Sequence, residues 1–85
     1  MKNNDLYQLE ILDMQYRLIQ NLHKQRLLRN MSQKDIANLT GLSQQAVSRI
    51  ETFQFLPSLP TLLKYMKALN LDINSLFEDK KDNSI

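Results

Sequence analysis

The sequence predicts an all-α protein of five helices, and three observations support this fold class. The chain of 85 residues has one glycine, Gly41, and two prolines, Pro57 and Pro60, which are too few for a series of hairpin turns. Its leucines and isoleucines recur at three- and four-residue spacings. The polar gaps between these periodic segments are short. With 42% apolar and 24% charged residues, the composition is that of one small globular domain.

The first predicted helix covers about residues 6–29, with Asn4 or Asp5 as its cap. It is long for a globular protein, so a kink or a separate arm before Tyr16 is an open alternative. From this pattern we expect three parts along the chain. They are an N-terminal helical arm over 1–15, a folded domain over 16–78 and a frayed tail over 79–85.

Two short helices follow around the glycine. Ser32 caps a helix over 33–40, and Gly41 ends it because a left-handed backbone costs glycine little. Ser43 then caps a helix over 44–52.

Two further helices complete the prediction. Ser58 and Pro60 mark the start of a helix over 61–69, since proline is tolerated in a first turn. Its inward residues are predicted to be Leu62, Leu63, Met66 and Leu69. Asn70 then caps a last short helix over 72–77.

Composition also excludes several classes of protein. The absence of cysteine excludes a disulfide scaffold, thiolate metal sites and cysteine catalysis, and it suits a reducing compartment. No apolar stretch approaches the roughly 18 residues of a membrane span, and no signal-peptide pattern opens the chain. We therefore expect a cytoplasmic protein. Residues 18–56 have a charge of +3 although the whole chain has +2, so a polyanionic partner is expected to bind this middle segment.

Two short helices joined by a tight turn around one glycine are the geometry of a helix-turn-helix. At about 100° per residue, the helix over 44–52 has an inner arc of Ala46, Val47, Ile50 and Glu51. Its outer arc consists of Gln45, Ser48, Arg49 and Thr52, with Gln44 at its exposed N-terminal end. Amides, a hydroxyl and a guanidinium are the groups that read base edges, and no carboxylate accompanies them. A merely solvated helix face is the alternative.

The segment SQKDIANLTGLSQQAVSRIE, from Ser32 to Glu51, resembles the helix-turn-helix of the phage Cro and C1 repressor family, also called the Xre family. The likeness continues through PSLPTLLKYMKALNLDINSLF, from Pro57 to Phe77, so that it covers about residues 19–77. It implies a five-helix, lambda-repressor-like domain, to which this chain is predicted to add an extended N-terminal helix. It also implies sequence-specific binding of double-stranded operator DNA, usually by a dimer.

Carried over by position, the resemblance implies that Gln44, Gln45, Ser48 and Arg49 contact bases or the adjacent backbone. Gln33 would contact a phosphate at a helix N-terminus. The complete predicted DNA-binding set is Gln33, Lys34, Ser43, Gln44, Gln45, Ser48, Arg49 and Thr52. The family's buried ion pair would here join Arg26 to Glu51, and we assign that pair to structure.

One position departs from the family pattern. Phe53 stands where the family usually has glycine, two residues after the glutamate that ends the recognition helix. A left-handed backbone is costly for phenylalanine, so the helix is expected to run on or to end differently. Phe53 and Phe55 would be anchored in the core or exposed for a partner.

The segment LYQLEILDMQYRLIQNLHKQR, from Leu6 to Arg26, resembles the N-terminal segment of HigA-type antitoxins, which repress their own operon and bind a toxin protein. The alternative is an extra helix that covers the core. Over residues 6–16 the apolar residues are too many for one solvated helix of that length; they are Leu6, Leu9, Ile11, Leu12, Met14 and Tyr16.

Catalysis is not expected. His23 is the sole histidine and is interpreted as a surface residue, and one glycine cannot form a phosphate-binding loop. We expect no metal, no cofactor and no membrane partner. Two functions remain: a transcriptional regulator, most simply a repressor, and an antitoxin that binds a toxin protein and represses its own operon. Both predict an operator and a homodimer.

Overall fold

The computed structural model describes residues 3–72, and these residues form four α-helices without a strand. The helices are α1 (Asn3–Leu28), α2 (Gln33–Thr40), α3 (Gln44–Glu51) and α4 (Leu59–Ala68). The all-α class is confirmed for this part of the chain, but the count of five helices is not matched. The predicted fifth helix, except its first residue, and the predicted tail over 79–85 lie outside the described residues.

The first helix is longer at its start than the sequence suggested. α1 begins at Asn3 and continues through Tyr16 as one helix. Asn4 and Asp5 lie inside it, so the prediction that one of them is the cap is wrong. Good helix formers, among them Leu6, Gln8 and Glu10, follow these two residues, and their propensity favours a helix that extends back through Asn4 and Asp5.

Both ends of α2 are capped, the first by side chains and the second by the backbone of a glycine. The hydroxyl of Ser32 accepts the Asp35 backbone N–H at 2.9 Å, and the Asp35 carboxylate accepts the Ser32 N–H at 2.7 Å. This reciprocal capping box satisfies two N–H groups that the helix leaves unpaired. The hydrogen bond from the Ser32 backbone lowers the pKa of Asp35. Gly41 ends the helix with φ +81°, a conformation that glycine adopts without strain.

Serine hydroxyls also cap α3 and α4. Ser43 accepts the Ala46 N–H at 3.0 Å, and Ser58 accepts the Thr61 N–H at 3.3 Å. α4 starts at Leu59, two residues before the predicted start, because Pro60 fits in the first turn, where no helical N–H is needed. α3 ends at Glu51 with Thr52 as its cap, one residue before the predicted end.

One core holds the four helices together. α2 packs against α3 and α4, and α1 packs against α3. The buried cluster consists of Leu22, Ile36, Ala37, Val47, Tyr65, Met66 and Leu69. Each large side chain in it contributes about 1.5–3 kcal/mol by leaving water. Tyr65 is fully buried although it is not among the predicted inward residues, and Leu62 and Leu63, which are among them, are only partly buried.

The N-terminal half of α1 has little cover. The buried residues of this helix are Ile19, Leu22 and Arg26, all in its C-terminal half. The large apolar side chains that are more than two-fifths exposed before them are Leu6, Tyr7, Leu9, Leu12, Met14 and Tyr16. α1 is nevertheless not apolar enough over its length to cross a membrane, and neither is any other helix among residues 3–72.

Candidate nucleic-acid interface

α2, the turn after it and α3 form a helix-turn-helix unit. Three residues, Gly41 to Ser43, connect the two helices, and Leu42 packs from the turn against the core. Val47 and Ile50 are buried on the inner side of α3. The turn and these two anchors fix which face of α3 points outward.

The outward face of α3 carries free hydrogen-bonding groups. Gln44, Gln45 and Arg49 are exposed, and within residues 3–72 their side chains have no hydrogen-bond or ion-pair partner. Ser48 is half-buried between them and the core. Two amides and a guanidinium are therefore available to a ligand, and the face has no carboxylate.

Two other residues of the predicted set already take part in capping. The Ser43 hydroxyl accepts the Ala46 N–H and keeps its own hydrogen for a further acceptor. The Thr52 hydroxyl donates to the Ser48 carbonyl at 2.8 Å and accepts from the Gln54 amide at 2.9 Å. A DNA contact by Thr52 would have to compete with these two bonds.

The predicted phosphate contacts lie at the start of α2. Lys34 is exposed, and within residues 3–72 its ammonium group has no hydrogen-bond or ion-pair partner. The Gln33 side chain turns inward, and its Nε2 donates to Glu51 Oε1 at 3.1 Å. This contact was not expected from the sequence. An amide nitrogen has two hydrogens, so one remains for a phosphate oxygen.

The inner side of α3 ends in a buried carboxylate. The Glu51 side chain is 2% exposed and forms an ion pair with Arg26, whose Nε lies 2.7 Å from Oε2 and whose Nη2 lies 2.9 Å from Oε1. Tyr65 donates its hydroxyl hydrogen to Oε2 as well. Arg26 Nη1 donates to the Met31 carbonyl at 2.7 Å, so the pair also fixes the chain between α1 and α2.

Hydrogen bonding determines the charge state of this carboxylate. Burial alone would raise the pKa of Glu51, but the hydrogen bonds from Arg26, Tyr65, Gln33 and His23 outweigh it and lower the pKa to about 2. The hydrogen bond between Arg26 and Glu51 also raises the pKa of Arg26. Burial, and then the bond to Glu51, raises the pKa of Tyr65. At neutral pH the cluster is a charged pair with a neutral tyrosine.

His23 also belongs to this cluster, although its sequence interpretation was that of a surface residue. Its Nδ1 lies 2.8 Å from Glu51 Oε1, and the side chain is 43% exposed. Since an ionised carboxylate only accepts hydrogen bonds, Nδ1 is the donor. For Tyr65 a usable signal was present, because it lies three residues after Leu62 and four before Leu69 on the apolar face of α4. For His23 there was none, since its partner is 28 residues away.

The end of α3 corrects the expectation about Phe53. Phe53 adopts the left-handed conformation, with φ +60°, and the helix ends there as it would at a glycine. The Phe53 N–H donates to the Ile50 carbonyl at 3.0 Å, and the Gln54 N–H donates to the Arg49 carbonyl at 2.8 Å. These are the two bonds of a Schellman motif. Asn30 and Asn70 end α1 and α4 with the same motif, and asparagine tolerates it better than phenylalanine does.

The fold and this interface define a helix-turn-helix protein. Residues 22–76 match the model of the helix-turn-helix family of the Cro/C1 type, and the chain belongs to that family. It is a family of DNA-binding regulators. Comparisons with curated proteins and with solved structures give no match.

Proposed function

We propose that this protein is a sequence-specific regulator of transcription, a repressor, which binds double-stranded DNA by placing α3 in the major groove. The observation that carries the proposal is the outward face of α3, where Gln44, Gln45 and Arg49 are exposed and have no partner among residues 3–72. Hydrogen-bonding groups without internal partners on a rigidly packed helix are free to exchange water for base edges.

The chemistry of each side chain determines whether we propose that it contacts bases or the phosphate backbone. A glutamine amide pairs with adenine at two points, an arginine guanidinium pairs with guanine, and a serine hydroxyl accepts or donates to either. In this proposal Gln45 and Arg49 read bases, and Gln44 and Ser48 contact bases or the adjacent backbone. Lys34, Gln33 and the hydroxyls of Ser43 and Thr52 contact the phosphate backbone.

The burial of Glu51 supports DNA binding by α3, because it removes a negative charge from the outward face of this helix. A carboxylate on the DNA-facing side of α3 would be repelled by phosphates. Glu51 is the one carboxylate of α3, and its side chain is inside the protein and neutralised by Arg26. The recognition helix therefore presents Arg49 as its only charge toward the ligand.

The proposed assembly is a homodimer. A single recognition helix reads a few base pairs, which gives too little discrimination in a genome. Two copies related by a two-fold axis would read two half-sites about one helical turn apart. The exposed apolar side chains of α1 are one candidate for the contact between copies.

A second candidate function is an antitoxin that binds a toxin protein and represses its own operon. The observation that favours it is the uncovered N-terminal half of α1, where Leu6, Leu9 and Met14 are each more than half exposed. Several large apolar side chains exposed together on a small protein are typical of a contact with another protein. The two functions share the DNA interface and differ in whether a second protein covers this surface.

Selection of bound duplexes from a random pool tests the proposal. The expected result is an enriched sequence motif with two related half-sites about one helical turn apart. The matched control is the Gln45→Ala, Arg49→Ala double variant, which should enrich no motif while remaining folded. A wild-type pool that shows no enriched motif would contradict sequence-specific binding.

A further inference from the structure

The C-terminal end of α3 is closed by a residue in an unfavourable backbone conformation. With φ +60°, Phe53 occupies the left-handed region, where the β-carbon of a bulky residue crowds the backbone. The two Schellman hydrogen bonds would form equally well with glycine at position 53, so they do not explain why phenylalanine is tolerated there. Some other interaction must therefore offset the steric cost.

The side chain of Phe53 supplies that interaction. Its ring contacts the ring of Tyr16 on α1, with the ring centres 4.9 Å apart and the planes at 89°. This edge-to-face arrangement is favoured because the positive edge of one ring meets the negative face of the other. Glycine at position 53 could not make the contact.

The ring contact between Tyr16 and Phe53 lies outside the core, next to the C-terminal end of α3. Tyr16 is 43% exposed and Phe53 is half-buried, and neither belongs to the buried core cluster. The bond that depends on the Phe53 conformation, from the Gln54 N–H to the Arg49 carbonyl, instead fixes the last turn of α3. Arg49 is one of the proposed base-reading residues.

We propose that Tyr16 is a positioning residue for DNA binding: its ring contact holds Phe53 in the left-handed conformation and thereby keeps the last turn of α3 closed around Arg49. This inference rests on the proposed function. It also links α1 to the end of the recognition helix through a contact outside the core.

Four variants test the inference: Tyr16→Ala, Phe53→Gly, the double variant with both changes, and Tyr16→Phe as the matched control. Tyr16→Phe keeps the ring and loses only the exposed hydroxyl, which accepts a hydrogen bond from Gln20. Two quantities are measured for each protein. One is the affinity for the duplex selected from a random pool by the wild-type chain, and the other is the exchange rate of the Gln54 amide hydrogen.

Tyr16→Ala should weaken binding about three- to tenfold and speed Gln54 exchange by a similar factor, because the left-handed cost is no longer offset. Tyr16→Phe should resemble the wild type in both measurements. Phe53→Gly should stay close to the wild type, because glycine needs no ring contact to adopt this conformation. In the Phe53→Gly background, Tyr16→Ala should then have almost no further effect.

Two results would overturn the inference. One is an equal effect of Tyr16→Ala in both backgrounds, since the change would then act elsewhere than at Phe53. The other is unchanged affinity and unchanged Gln54 exchange in Tyr16→Ala. If the wild-type chain selects no duplex, the proposed function fails. The exchange rates then still test the contact, so the two failures are distinguishable.

Discussion

Arg26 of α1 and Glu51 of α3 form a two-point ion pair, in which Nε and Nη2 of the guanidinium lie 2.7 and 2.9 Å from the two carboxylate oxygens. Both side chains are more than nine-tenths buried. The pair joins α1 to the end of α3. A buried pair of this kind need not add net stability, but breaking it leaves an uncompensated charge.

Arg26→Ala and Glu51→Ala should therefore each destabilise the protein, by up to about 3–5 kcal/mol, because each leaves the other charge buried and unpaired. Urea or thermal unfolding measures the loss. Arg17→Ala is the matched control, since the Arg17–Asp13 pair is exposed, and its removal should cost less than about 1 kcal/mol. Unchanged melting in both cluster variants would mean that the pair does not form in solution.

Acid should weaken the protein through the same carboxylate. The pKa of Glu51 is lowered to about 2 from an ordinary value of 4.5, so the unfolded chain takes up this proton at a higher pH than the folded protein does. The stabilisation is present above about pH 4.5 and is lost as the pH falls toward 2. Urea unfolding at a series of pH values between about 5 and 2 measures this loss, because this range includes both the ordinary and the lowered pKa of Glu51.

Glu51→Gln is the control for the acid experiment. It removes the titrating group, while Asp35, whose pKa is also lowered, remains in both proteins. The variant should therefore lose less stability over this pH range than the wild type. Identical pH dependence in the two proteins would show that Glu51 has an ordinary pKa.

The salt dependence of the affinity for DNA should show which side chains contact phosphates. Lys34→Gln should reduce the slope of log affinity against log salt by about 1 and should weaken selected and random duplexes equally, because a phosphate contact carries no sequence information. Lys64→Gln on α4 is the charge-matched control and should leave the slope unchanged. An unaltered slope in Lys34→Gln would remove Lys34 from the interface.

Local signals made most of the fold predictable. Ser32 and Ser43 cap α2 and α3 where the sequence placed these helices, Ser58 caps α4 within two residues of its predicted start, and Gly41 ends α2, because caps and turns depend on residues within a few positions. What could not be predicted depends on contacts between distant parts of the chain. The steric cost at Phe53 was recognised from the sequence, but the ring of Tyr16 that offsets it lies 37 positions earlier.

In the candidate site, too, features that depend on nearby residues were predictable, and contacts between distant residues were not. Helical periodicity alone separates the outward Gln45 and Arg49 from the inward Val47 and Ile50. Periodicity says nothing about which donors meet a buried carboxylate, so the contacts of Gln33 and His23 with Glu51 required the folded structure.

The assembly has its own test. The wild-type chain should bind its selected duplex as two copies, and analytical ultracentrifugation of the complex measures the number. One copy on a site without two-fold symmetry would contradict the dimer. Deleting residues 1–15 locates the interface: loss of the second copy assigns the exposed surface of α1 to the dimer, and its retention assigns that surface to another protein.

The most direct measurement of the central claim, that α3 reads base sequence, is the affinity of Gln45→Ala for the selected duplex and for a random one. Gln45→Ala should lose about 1–3 kcal/mol of binding free energy on the selected duplex and change little on the random one, because the amide contacts base edges. Gln8→Ala, an exposed glutamine of α1, is the matched control and should change neither affinity. An equal loss on both duplexes, or no loss on either, would contradict the claim.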